Sequence, residues 1–256
     1  ELTKARDLEK ARAVLAYRES LASETSVVAS VGQAAPLPSE LKRTQPAAGA
    51  AALQSSPDLT RATKDAPFEN SLGMKFVPVK DTDVLFCIHE VRYKDYAAYA
   101  AEAKGIDGSW RDQRGDGFAP TDRPEDHPVM KVNWDDAQAF CDWLSRKESK
   151  RYRLPTDREW SVAVGIGRAE KWRSDTTPST VFKEPNAFPW SEEWPPPKGA
   201  GNYSDLRRRE NIAGAQYLEG YDDGFPATAP AMSFEPNKFG LYDLGGNVWE
   251  WCGDWS

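Results

Sequence analysis

The chain has 256 residues, 39% of them hydrophobic, which is room for one large domain or two small ones with a substantial core. No run of about 18 apolar residues occurs, which excludes a spanning helix, and three cysteines cannot build a disulfide framework. The net charge of −7 falls almost wholly on residues 67 to 256; an acidic body repels phosphate backbones and argues against a nucleic-acid partner.

Residues 1 to 25 are rich in Ala, Leu, Glu, Lys and Arg and predict a helix, the tail of an upstream region. Leu8, Leu15 and Ala22 recur at heptad spacing, which also suits a short coiled coil. From 26 to 66 the chain turns to Ala, Pro, Ser and Gln with almost no aromatics. It cannot bury enough apolar surface to offset its ordering entropy, and predicts a flexible linker. The first residue is Glu rather than Met, and both ends read as cuts through a longer polypeptide.

All ten tryptophans lie from Trp110 to Trp255, which places the expected core in the second part of the chain. Scattered Gly and Pro predict an irregular domain with long loops. Val84 to Val91 is apolar and β-rich, a predicted buried strand. Lys94 to Lys104 follows as a predicted helix with Tyr96, Tyr99, Ala100 and Ala103 on one stripe. A second helix starts after Asn133 as N-cap, with Asp135 and Asp136 in the first turn, Ala137, Phe140, Cys141 and Leu144 inward, and Arg146, Lys147 and Lys150 at its end. A third opens with Thr156 and Glu159 at capping-box spacing, turns Trp160, Ala163 and Val164 inward, and stops at Gly165.

Chemistry-bearing residues are few. Cys87 and Cys141 sit among apolar neighbours and read as structural, as does Cys252. His89 lies in an apolar strand, and His127, before Pro128, reads as a turn residue. Two histidines cannot make a three-histidine iron centre. No phosphate-cradling glycine string or nucleophile elbow is present. In Asp243 to Glu250 two carboxylates bracket a Gly-Gly turn. The segment reads either as a self-capping turn or as an oxygen-rich cradle for a hard cation. Asp222-Asp223-Gly224 reads as an acidic loop.

Six blocks in one order carry a resemblance: NSLGMKFVPV (Asn70 to Val79), FCIHEV (Phe86 to Val91), HPVMKVNWDDAQAFCDWL (His127 to Leu144), YRLPTDREW (Tyr152 to Trp160), FPW (Phe188 to Trp190) and FGLYDLGGNVWEW (Phe239 to Trp251). Residues 67 to 256 resemble the formylglycine-generating enzyme family, the sulfatase-modifying-factor domain. The resemblance implies an α+β, C-type-lectin-like fold, irregular, loop-rich and held by structural calcium. It maps one calcium site onto the side chains of Asp243 and Glu250 with the carbonyls of Gly246 and Val248. It maps a second onto the side chains of Asn202 and Asp223 with the carbonyls of Tyr203 and Phe225.

Family enzymes oxidise a sulfatase cysteine to formylglycine, using oxygen and a copper ion held by two cysteines. These lie in a segment after the last block, near a GGS string and before a GFR strand. Neither string follows Trp251, so the copper ligands are expected outside this chain, as is a partner cysteine for Cys141. The expected partner is a protein or peptide substrate such as a sulfatase. The other reading is a non-catalytic binding module in a bacterial multidomain protein such as a kinase fusion.

Overall fold

The computed structural model describes residues 59–114, 118–182, 187–190, 194–211 and 216–254. All belong to the unit Pro57–Ser256. The helix expected over 1 to 25, most of the linker expected over 26 to 66, and Trp255 lie outside the described residues.

The regular structure begins with an antiparallel sheet of three short strands, β1 (Phe68–Glu69), β2 (Lys75–Pro78) and β3 (Leu85–Cys87), in that spatial order. The β1–β2 turn is set by Asn70, whose Oδ1 accepts the N–H groups of Leu72 and Met74, each at 2.9 Å, while Gly73 takes the left-handed φ of +74°. Phe76 opposes Phe68 on one side and Cys87 on the other. Successive side chains on β2 point to opposite faces, and both faces are covered. Phe76 enters a cluster with Met74, Tyr96, Tyr99, Trp110, Phe140, Trp143 and Leu144; Val77 enters a second with Val79, Phe86, Ala163 and Leu241.

Three longer helices follow: α1 (Tyr93–Glu102), α2 (Trp134–Glu148) and α3 (Asp157–Val164). A short fourth, α4 (Leu206–Asn211), comes later. Arg92 starts α1, its backbone N–H and its guanidinium both donating to the Asp95 carboxylate. At α2, Asn133 caps the Asp136 N–H at 2.9 Å and the Asp136 carboxylate returns to the Asn133 N–H at 3.1 Å. Thr156 and Glu159 exchange the same pair of bonds at α3, which ends on Gly165 at φ +106°. The α1–α2 contact is aromatic, with Tyr96 stacked on Phe140 at 5.9 Å and Tyr99 against Trp143 at 5.5 Å.

Two expectations are corrected. The strand expected over Val84 to Val91 is only Leu85–Cys87, because its partner β2 begins at Lys75 and the ladder runs out there. The first helix spans Tyr93–Glu102 rather than reaching Lys104, since Ala103 is already extended. The main cluster spans Met74 to Leu144, and among the described tryptophans Trp110 and Trp143 are buried in it. Several other indoles work as hydrogen-bond pins. Trp134 Nε1 donates to the Cys252 carbonyl at 2.9 Å and Trp251 Nε1 to the Val132 carbonyl at 3.0 Å, tying the 250s to the start of α2.

Beyond α3 the described chain is loop apart from α4. Leu241, buried in the second cluster, brings the GGNVWEW segment beside β3, where the Tyr242 N–H donates to the Ile88 carbonyl at 2.9 Å. That placement creates the candidate site.

Candidate metal centre

The loop from Asp243 to Glu250 turns sharply because Asp243 and Asn247 both adopt left-handed φ of 60°. Between them Gly246 runs against the neighbouring loop. A Cβ there would sit 2.5 Å from the Asn202 carbonyl oxygen and 3.1 Å from the Tyr203 ring, so only glycine allows the approach.

Into this turn point carboxylates with too few partners. Asp243 Oδ2 accepts the Met232 N–H at 2.7 Å, and its buried Oδ1 has no hydrogen-bond partner. Glu250 accepts from the Trp160 indole. Glu90, just past β3, is buried. Its Oε2 accepts from Asn247 Nδ2 at 2.8 Å, and its Oε1 is orphaned. None of these three takes part in an ion pair among the described residues.

Burial pushes Asp243 up to about 6, and pushes Glu250 up to about 7 with Asp243 reinforcing it. Glu90 is driven well above the usual carboxylate range by burial first, then by the charges of Asp243 and Glu250. Three acids raised by burial, two of them further by a neighbouring acid, are a costly arrangement. Adding a doubly charged ion would reverse the sign of that cost.

The adjacent loop joins Asn202 and Tyr203 to Asp223 and Phe225. Asp223 Oδ2 accepts the Tyr203 N–H at 2.8 Å and Oδ1 the Phe225 N–H at 2.9 Å. The fully buried Asp205 holds the Asp223 N–H through Oδ2 at 2.7 Å. Asn202 donates its amide to the Ala227 carbonyl at 2.5 Å and to Asn247 Oδ1 at 3.0 Å, which leaves Oδ1 as its available end. Burial pushes Asp223 up to about 6. The Tyr203 ring lies edge-on to Trp190 at 5.5 Å and Tyr221 at 5.9 Å, so FPW walls this loop.

Asp223 is thus hydrogen-bonded to the backbone N–H groups of Tyr203 and Phe225, Asn202 lies against Gly246 and Asn247, and Asp243 and Glu250 stand at the two ends of one loop. Among the described residues no three Asp, Glu, His or Cys side chains converge as a metal cluster. An ion here needs backbone carbonyls to complete six to eight oxygens, which is calcium chemistry rather than zinc or copper chemistry. Orphaned oxygens at Asp243 and Glu90 fit calcium. The second loop fits less completely, both Asp223 oxygens being occupied by amides.

The thiols do not fit copper. Cys87 lies in β3 with Sγ 3.9 Å from His89 Nδ1, and burial pushes both Cys87 and Cys141 up to about 12, far from thiolate. No disulfide occurs among the described residues.

Sequence reasoning missed Glu90, Asn247 and Asp205. Glu90 carried one legible signal, an acid within the otherwise apolar VLFCIHEV, where a buried charge requires a partner. His127 is more than a turn residue. It is 2% exposed, with Nε2 donating to the Asp122 carbonyl and Nδ1 accepting from the Thr228 hydroxyl, both at 2.9 Å.

A small antiparallel sheet, a few capped helices and a long loop region tied back by Asn247 define a mixed, loop-rich domain. The family model for the sulfatase-modifying factor enzyme 1-like domain matches residues 47–256, and the chain belongs to that family. It is 36% identical over 150 residues to the formylglycine-generating enzyme of Thermomonospora curvata, covering 57% of this chain and 39% of that protein. It is 32% identical over 145 residues to the inactive C-alpha-formylglycine-generating enzyme 2 of Bos taurus, covering 56% and 37%. Over 129 residues it is 30% identical to the serine/threonine-protein kinase pkn1 of Chlamydia pneumoniae, covering 50% and 14%. The matched region is thus well under half the length of these relatives.

Proposed function

We propose that this is a calcium-clamped, lectin-like scaffold of the formylglycine-generating type, which presents a peptide-facing surface while its described thiols stay chemically silent. The observation that carries the reading is half-buried Asp243 and Glu250, without compensating charge at the two ends of a Gly-Gly turn, with the buried acid Glu90 raised by both. Calcium would supply the missing positive charge there and fix the loop. Asp243 and Glu250 would hold it by side chains, with the Gly246 and Val248 carbonyls, and Glu90 would add negative charge nearby. Asn202 and Asp223, with the Tyr203 and Phe225 carbonyls, would hold a second ion.

The residues beside the clamp supply the surface. Trp249 is 69% exposed and Trp251 46%, on the segment that a bound ion at Asp243 to Glu250 would stiffen. Exposed indole rings on a fixed backbone suit extended peptide through ring contact. Nothing in this arrangement activates a thiol, so no oxidative step is derived from Cys87 or Cys141.

The second reading, a formylglycine-generating enzyme, is favoured by the likeness to the Thermomonospora curvata protein. The likeness to the inactive Bos taurus protein and to the Chlamydia pneumoniae kinase favours the binding module. Incubation with a sulfatase-derived cysteine peptide, followed by aldehyde-specific labelling, separates the two.

The clamp itself is tested by stripping the protein with a chelator and adding calcium. At 100 times Kd a single site contributes about 2.7 kcal/mol, which for a domain of this size raises Tm by roughly 5–10 °C. Superimposed melting curves, with no binding heat in calorimetry, would remove the reading.

A further inference from the structure

Asn247 belongs to one candidate loop and completes the other. Its side chain is saturated: Nδ2 donates to Glu90 Oε2 at 2.8 Å and to the Ala229 carbonyl at 3.2 Å, while Oδ1 accepts from the Ala229 N–H at 2.8 Å and from Asn202 Nδ2 at 3.0 Å. Its backbone N–H donates to the Asn202 carbonyl at 2.9 Å. One residue therefore grips the backbone and side chain of Asn202, and also the buried acid beside Asp243.

We propose that Asn247 is a positioning residue that couples the two loops, so that they take up calcium cooperatively rather than as independent sites. This rests on the calcium reading above.

The coupling follows from geometry. An ion held by the Gly246 and Val248 carbonyls fixes the peptide unit before Asn247 and the one after Val248, which brackets Asn247 and holds it at its left-handed φ of 60°. That fixes Asn247 Oδ1, which with the Ala227 carbonyl takes both amide hydrogens of Asn202 and so sets the orientation of its amide, whose Oδ1 is left as the acceptor for an ion. In the reverse direction, an ion at Asn202 and Asp223 orients the Asn202 amide and carbonyl, the two groups that hold Asn247. Gly246 packing onto Asn202 and Tyr203 leaves no slack through which one loop could move alone. Each ion then binds a loop whose ordering the other has already supplied. By linkage the effect is equal in both directions.

The test uses calcium calorimetry on the full chain and on variants that each keep one loop. Asp223→Ala retains the Asp243 loop and Asp243→Ala retains the Asp223 loop; the product of their single-site constants is the uncoupled expectation. The wild-type two-ion constant is expected to exceed that product by about 5-fold or more, the lower end of ordinary allosteric coupling. In the Asn247→Gly background, which permits the left-handed φ and removes only the side chain, the same ratio is expected to fall to about 1.

Two ions in the wild type with a ratio of 1 would overturn the coupling and leave the clamp standing. Persistence of the wild-type ratio in folded Asn247→Gly would overturn the role of this side chain. One ion or none in the wild type would sink the coupling, and none would sink the clamp with it. Should Asn247→Gly fail to fold, the ratio from the wild type and the two single-loop proteins still decides whether the sites are coupled, and Asn247→Ser, which shortens the side chain, decides the assignment.

Discussion

Gly246 shows how closely one residue can constrain the site. An added methyl would press into the Asn202 carbonyl at 2.5 Å, backbone against backbone, where no rotamer can yield. Gly246→Ala should cost about 1–3 kcal/mol in urea unfolding, the range for overpacking a dense interior, and should weaken calcium binding at both loops. His127 gives a pH signature. Burial lowers its pKa below the ordinary 6.5, with the Asp122 carbonyl and the charges of Asp122 and Asp126 pulling upward and Arg123 downward. The unfolded chain takes up the proton first, so the stability tied to neutral His127 is complete above about pH 6.5 and is lost as pH falls below it. Melting from pH 7 to pH 5 should therefore destabilise the wild type more than His127→Gln; parallel curves would contradict this.

Helix ends were the most legible elements, because a cap is local chemistry. Asn133 and Thr156 both accept the N–H three residues on, as their spacing indicated. Replacing Asn133 by Ala should cost about 1 kcal/mol, measured by denaturant midpoint, since the Asp136 N–H then loses its partner. The apolar stripe of α2 was read as Ala137, Phe140, Cys141 and Leu144, but the fully buried residues are Phe140, Trp143 and Leu144. Trp143 lies outside that stripe because the group that satisfies its indole N–H, Glu102 at 3.0 Å, is 41 residues away. Glu90 was obscured for the same reason. What makes it part of a site is Asn247, 157 residues later, and no window of sequence contains both. The eight metal positions came from family likeness rather than spacing, and their neighbourhood became readable only through long-range hydrogen bonds.

Across the whole molecule, the strands carry little of the architecture. Nine strand residues make up the named sheet, and the rest of the described domain depends on helix packing, side-chain caps and the candidate clamp. No helix among the described residues is long and apolar enough to cross a membrane. A body held this way should open first in its loops. Limited proteolysis of chelator-treated protein should cut within 194 to 250 before it touches α1 or α2, and calcium should suppress those cuts. Early cleavage within α1 or α2 instead would refute that order. The bond from Asn247 back to Glu90 has one more consequence. The segment just after β3 emerges early in synthesis, yet its buried acid gains its amide partner only when nearly all the described chain has been made. Closure is therefore a late event, governed by a long-range search, and places this domain toward the slow end of folding rates. Until then the nascent polypeptide holds a half-finished interior that invites chaperone attention.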